Sequence, residues 1–283
     1  MGVRFPQSVP NMNIVTVTCT RDKFAMVLQA SSINLFATKK VIHWVIIQDQ
    51  LTPYEEWEEL LSPYYTAHEL HIIPNWINND LNGWNQQQIL KFQASKFIND
   101  TNYLILDSKN FFIKKTDLSE FLLEGHRHYI DTNSLKAHFT VWYEYLELIL
   151  EIPTPKTSWV PQTPFTVKTE NVNKIPDIEN LYIDFSKKYK NENPSEFLLY
   201  RYFSEDPKNI NNYQHIVWDK TFLKKINKLD KEVICLGIHR EALIGTKIDD
   251  PDIFVLTNFL KSLNFSDSII LNFISSFQQL NRP

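Results

Sequence analysis

Asn102-Tyr103-Leu104-Ile105-Leu106-Asp107-Ser108-Lys109-Asn110-Phe111-Phe112 is a short apolar run that stops at an acidic residue with small polar neighbours. A strand buried on both faces is written this way, apolar within and polar at its carboxyl end. In open α/β sheets, ligands bind in the crevice beyond those ends. Asp107 and Lys109 are two residues apart, so continued strand geometry puts both on one side. A carboxylate and an ammonium then face the same crevice.

The chain upstream repeats the pattern. Ile14-Val15-Thr16-Val17-Thr18-Cys19 reads as a first strand, rich in β-branched residues. Thr20-Arg21-Asp22 ends it, and Asp22 is placed either to cap the helix that starts at Lys23 or to meet a ligand. A second strand over 41–47 ends at Gln48-Asp49, and a helix follows over 54–61. A third strand over 69–73 is closed by Pro74, and a helix over 84–97 leads to the Asp107 strand. Strands alternating with helices imply parallel βαβ units with right-handed crossovers. The expected fold is α/β: a Rossmann-related mixed sheet flanked by helices, with the tips at Thr20, Asp49 and Asp107 on one edge.

The second half is less regular. A short helix is expected over 118–123, a strand over 126–131 and a longer aromatic helix over 134–150. Prolines at 153, 155, 161 and 164 make 151–165 a loop or linker. Helices follow over 176–189 and 194–202, strands over 215–218 and 233–236, and terminal helices over 252–263 and 266–280. This gives one main domain over 1–250 and a C-terminal helical extension over 251–283. Within the main domain, 13–112 is the nucleotide-binding half and 113–250 the acceptor half.

Composition narrows the function. The 283 residues carry a formal net charge of −4 and no cationic block, which argues against nucleic acid as a partner. Five glycines leave neither a Rossmann fingerprint nor a Walker loop, so a phosphate must meet side chains or a helix N-terminus. Two cysteines, Cys19 and Cys235, sit in apolar runs and read as reduced, buried thiols. No apolar run reaches the about 18 residues of a membrane span, and the N-terminus has no secretory pattern. The chain reads as cytoplasmic, in solution or at a membrane surface. No Gly-x-Ser-x-Gly elbow signals a serine hydrolase.

The Asp107 segment resembles the metal-binding Asp-x-Asp signature of nucleotide-sugar glycosyltransferases with the GT-A fold, with Lys109 in place of the second Asp. Gly83-Trp84-Asn85-Gln86-Gln87-Gln88-Ile89-Leu90-Lys91 extends the likeness. It is similar to a bacterial and viral family of GT-A-like glycosyltransferases in which a Gly-aromatic-x-x-Gln-Gln-x-x-Lys helix precedes a Leu-Asp-Ser-Asp strand. Thr163-Pro164-Phe165, Ser195-Glu196-Phe197-Leu198-Leu199-Tyr200 and Gly237-Ile238-His239-Arg240 also look related. The resemblance implies transfer of a sugar from a nucleotide-activated donor to a hydroxyl of a glycan acceptor, as in surface glycan synthesis. It implies Asp107 and Glu196 as catalytic groups. Thr20, Arg21, Asp22, Asp49, Gln87, Lys91, Lys109 and Arg240 would bind the donor. Asp107 and His239 would hold a divalent ion, Mn or Mg.

Residue chemistry leaves alternatives beside that reading. Lys109 is a poor metal ligand but can meet a phosphate as a point charge. Gln87 and Lys91, four apart, share a helix face. Glu196 at a helix start is favoured by the helix dipole with or without a role as base. Arg240 can neutralise phosphate oxygens. His126 and His128 alternate along a strand, a weak metal signal without a carboxylate partner. A nucleotidyltransferase would carry a glycine-rich basic stretch after the first strand, which Thr20-Arg21-Asp22 is not. A degenerate, non-catalytic sugar- or nucleotide-binding protein is the other class, kept open by Lys109.

Overall fold

β1 (Met12–Thr18) is buried along its whole length and forms the middle of a five-stranded sheet. The computed structural model describes residues 12–77, 81–117, 129–159, 162–190, 192–204, 214–217, 219–231, 233–244, 246–247 and 249–279. After β1 come α1 (Lys23–Phe36), β2 (Val41–Ile47), α2 (Tyr54–Leu61), β3 (Glu69–Pro74), α3 (Gly83–Gln93) and β4 (Asn102–Asp107). β1 pairs in parallel with β2 and β4, and β2 with β3, as the alternation of strands and helices requires.

Period-2 alternation sorts the strand side chains between two cores. Leu104 and Leu106 of β4 face one side with Ile14, Met26, Leu28 and Val45. Tyr103 and Ile105 face the other with Val15, Val17, Ile89 and Phe92. Burying each such side chain contributes about 1.5–3 kcal/mol. That double burial explains why β1 and β4 read as near-continuous apolar runs.

Beyond β4 follow β5 (Asn110–Phe112), β6 (Tyr129–Asp131), α4 (Thr132–Leu150), β7 (Thr157–Trp159), β8 (Phe165–Lys168), α5 (Thr169–Val172), α6 (Ile178–Lys188) and α7 (Glu196–Arg201). β9 (Gln214–Val217), α8 (Lys220–Leu223), β10 (Cys235–Ile238), α9 (Pro251–Ser262) and α10 (Asp267–Gln279) complete the order. β8 pairs antiparallel with β4 and makes the sheet mixed, in the order β3-β2-β1-β4-β8. A second sheet, β5-β10-β9, grows from the turn after Asp107, and β6 pairs with β7. Leu256 and Leu260 of α9 and Ile270 and Phe273 of α10 pack in the same core as Ile14 and Met26.

The structure departs from the sequence reading in several places. The span 151–165 is not all loop: it holds β7 and the first residue of β8. The strand expected at 233–236 lies two residues later, because pairing of Gly237 with Asn110 sets its register. Backbone at Phe139 (φ −132°, ψ 21°) interrupts the long helix. Asp22 makes no capping bond to α1, its carboxylate being engaged elsewhere. Cys235 is buried, but Cys19 is only half-buried, at the tip of β1. The helix expected over 118–123, and His126 and His128, lie outside the described residues.

Candidate active site

Register brings three strand tips level. Thr18 pairs with Ile47, and Val17 with Asp107. The loops after β1 and β2 and the turn after β4 therefore share the carboxyl edge, where an open α/β sheet binds its ligand. Two polar locks tie these loops together. The Thr20 backbone N–H donates to Asp49 Oδ2 at 2.9 Å, and its hydroxyl donates to Oδ1 at 2.6 Å. Ser108 Oγ donates to Asp22 Oδ2 at 3.0 Å. Gln87, from the second turn of α3, donates to the carbonyl of Val17 at 3.2 Å.

Under this edge the charges alternate. Lys91 Nζ lies 2.8 Å from Glu196 Oε1 and 2.9 Å from Asp107 Oδ1. Lys109 Nζ lies 3.3 Å from Asp107 Oδ2. Side-chain exposure rises along the chain: 3% at Glu196, 4% at Lys91, 21% at Asp107 and 30% at Lys109. The order is anion, cation, anion, cation, and the outermost member is positive. The Lys91 ammonium also sits 5.4 Å from the centre of the Phe197 ring.

Proton affinities follow from the neighbours. Burial alone would push Asp107 up, but the Lys91 and Lys109 ammoniums outweigh it and hold the carboxyl well below its usual range. The Thr163 side chain adds a hydrogen bond to that carboxylate. Burial would lower Lys91, yet the charges of Asp107 and Glu196 hold it raised. Burial pushes Glu196 up, with Lys91 pulling it back. Cys19 is raised by burial and by Asp22, so its thiol stays protonated beside the edge.

A buried chain of hydrogen bonds fixes the turn that carries Asp107. Gln29 Nε2 donates to the carbonyls of Asp107 and Asn110, both at 2.8 Å. Gln29 Oε1 accepts from Thr16 Oγ1 at 2.9 Å. The Thr16 hydroxyl has one proton, so it must accept at 2.9 Å from His43 Nε2–H. His43 Nδ1 then accepts from the Tyr65 hydroxyl. Burial holds His43 down to about 3, neutral in that tautomer. Asn110 Oδ1 closes the turn by accepting from the Asp107 N–H at 2.8 Å.

The second sheet delivers the remaining groups. The Ile238 N–H donates to the carbonyl of Lys109 at 3.3 Å, which carries His239 and Arg240 to the same turn. Burial and the Lys109 ammonium lower His239 to about 4, against the pull of Glu241 and Asp107.

Most residues singled out in the sequence thus converge, in altered roles. Asp49 locks Thr20, and Asp22 holds Ser108 and lies 3.7 Å from Arg21. Lys91 and Glu196, both buried, form the foundation beneath Asp107 and do not line the crevice. Lys109 is the cation nearest Asp107 on the solvent side; Arg21 follows the tip of β1, and Arg240 follows β10. Three contributors escaped the sequence reading. Gln29 is a lone polar residue in the apolar run 24–30, and His43 is the same in β2. Thr163 stood in a quoted motif without a role.

A divalent ion held by protein side chains alone needs several converging oxygen or nitrogen ligands. Among the described residues no three His, Cys, Asp or Glu side chains come together to hold one. Each Asp107 oxygen already faces an ammonium.

The chain belongs to the family of unknown function DUF6492, which matches residues 14–234. No curated protein matches it. Among solved structures it is similar to apo WbbM, a bifunctional glycosyltransferase, at 12% identity and a TM-score of 0.56. That match covers 98% of this chain and 53% of WbbM. It is also similar to the glycosyltransferase GlyE of Streptococcus pneumoniae TIGR4, in the apo form and in a second structure, each at 13% identity and a TM-score of 0.51. Those matches cover 95% and 94% of this chain and 64% of GlyE. The chain thus spans between half and two thirds of these proteins' length. The likeness shows a shared fold: a mixed α/β sheet flanked by helices. No helix among the described residues is long and apolar enough to cross a membrane.

Proposed function

We propose that this chain is a glycosyltransferase that moves a sugar from a nucleotide-activated donor to an acceptor hydroxyl. The observation that carries the proposal is the alternating charge chain that ends in Lys109 at the carboxyl edge. The fold shared with WbbM and GlyE supports it.

Transfer breaks the bond between the sugar's anomeric carbon and the diphosphate and forms one to the acceptor oxygen. Negative charge grows on the departing phosphate oxygen. Lys109 meets that charge as a fixed cation would, and Arg21 and Arg240, which follow neighbouring strand tips, are candidates to add to it. Asp107 is the accessible carboxylate, and positive charge that grows on the sugar ring is stabilised beside it. Its depressed proton affinity makes it a weak base, whereas a phosphate's second ionisation lies near about 6. The acceptor proton therefore ends on the departing diphosphate. Glu196 is too buried to touch an acceptor and acts through Lys91.

Incubating the protein with a panel of nucleotide sugars tests this. Release of a nucleoside diphosphate from one donor supports transfer. Release of a sugar 1-phosphate, with the nucleoside monophosphate group transferred, would indicate a nucleotidyltransferase. Nucleotide binding with no turnover of any donor would indicate a non-catalytic binding protein, and no binding at all would remove the proposal.

A further inference from the structure

We infer that Trp84 is a stacking platform for a sugar ring of the acceptor, a subsite that rests on the glycosyltransferase reading. Trp84 is 48% exposed, unlike the fully buried Trp57 and Trp142. Its exposure is not looseness. The indole Nε1–H donates to the carbonyl of Pro194 at 2.9 Å, which pins one edge of the ring to the segment leading into Glu196. A second indole, that of Trp142, donates to the carbonyl of Ser195 at 3.0 Å and holds the same segment from within.

Position on α3 places the ring relative to the chemistry. Trp84 and Lys91 are seven residues apart, so they lie on one helix face, about 10 Å apart along the axis. Lys91 reaches Asp107, and Gln87 between them reaches the tip of β1 at the carbonyl of Val17. The stripe therefore climbs from the foot of the site to its rim. At that rim Gln48 donates to the carbonyl of Gly83, which ties the start of α3 to the loop after β2. Trp84 thus stands about two helical turns along α3 from the lysine that meets Asp107, a separation that suits an acceptor sugar beyond the phosphates.

The neighbours indicate the ligand class. Around Trp84 the sequence is Asn82-Gly83-Trp84-Asn85-Gln86-Gln87-Gln88, with no charged side chain before Lys91. A phosphate subsite would need cations, which the stretch from Asn82 to Leu90 lacks. An aromatic face among neutral amides suits a pyranose, which offers C–H groups on one side and hydroxyls around its rim.

Saturation-transfer NMR with a panel of methyl hexopyranosides and their disaccharides tests the subsite. Nucleoside diphosphate affinity is measured in parallel on wild type, Trp84→Phe and Trp84→Ala. The ring is half exposed, so both variants should fold, and near-ultraviolet circular dichroism checks this. At least one glycoside should bind wild type, about tenfold weaker to Trp84→Ala and less affected in Trp84→Phe. Nucleotide affinity should stay unchanged in both variants. Equal glycoside binding by wild type and Trp84→Ala would overturn the subsite, as would a wild type that binds no glycoside of the panel. Either result leaves the donor site standing if nucleotide still binds, whereas a wild type that binds no nucleotide counts against the function itself.

Discussion

Lys91 and Lys109 both meet Asp107, at 2.9 and 3.3 Å, yet the two ends of that carboxylate belong to different regions of the molecule. Lys91 is closed in by Glu196 and the Phe197 ring beneath the sheet edge. Lys109 stands at the rim with nearly a third of its side chain in solvent. In the low-dielectric interior a charge must have its partners, so the inner pair is architecture. At the rim the same kind of contact is partly screened and exchangeable, so the outer lysine can release Asp107 and meet an anion.

The inner region should break first and hardest. Lys91→Met leaves the buried Glu196 carboxylate without a cation and the half-buried Asp107 with Lys109 alone, and should destabilise the fold by about 3–5 kcal/mol in urea denaturation. Adding Glu196→Gln should recover part of that loss. A Lys91→Met protein with the wild-type midpoint would show that the inner chain is not structural.

The site should respond next. Asp107→Asn keeps the shape of the turn and its backbone clamps but removes the charge. With the best donor it should cost about a hundredfold in turnover while the circular dichroism spectrum is retained. Undiminished turnover would demote Asp107 to a structural role.

Acid should separate the regions further. His43 is held down to about 3, below its ordinary 6.5. Its folded form binds fewer protons than the unfolded chain, so its contribution is present above pH 6.5 and is lost as pH falls towards about 3. By about pH 5 the loss from His43 should reach about 2 kcal/mol. Comparing urea midpoints of wild type and His43→Gln across that range checks this, since the variant should show a shallower fall. Parallel curves would remove His43 as the source. The loop lock should matter least: Thr20→Val removes one of two bonds to Asp49 and should cost about 1 kcal/mol, read from the same denaturation curves.

The parallel half was legible because local pattern and tertiary role coincide there. Residues 14–18 and 104–106 are buried on both faces, so their strands announce themselves, and a polar residue at the end marks the ligand edge. In the second half β6, β9 and β10 were legible to within three residues, but β7 and the start of β8 were hidden in a proline-bearing span, because antiparallel pairing with β6 and β4 makes them. β5 and β10 are short, and only the match of Gly237 with Asn110 sets where β10 lies. The sequence singled out residues that the fold brings to one edge, but not how they contact one another. Nothing in sequence spacing says that Lys91 and Glu196, 105 residues apart, meet in the interior. Gln29 and His43 did leave a signal, as single polar residues inside apolar runs, which in a buried element must find partners.

We propose that the outer lysine, rather than a divalent ion, presents positive charge to the donor's diphosphate. Calorimetric titration of wild type and Lys109→Ala with adenosine, guanosine, uridine, cytidine and thymidine diphosphates, each with and without a chelator, tests it directly. At least one diphosphate should bind wild type equally well in chelator, and Lys109→Ala should bind it about tenfold more weakly. Binding that vanishes in chelator, with Lys109→Ala indistinguishable from wild type, would contradict it.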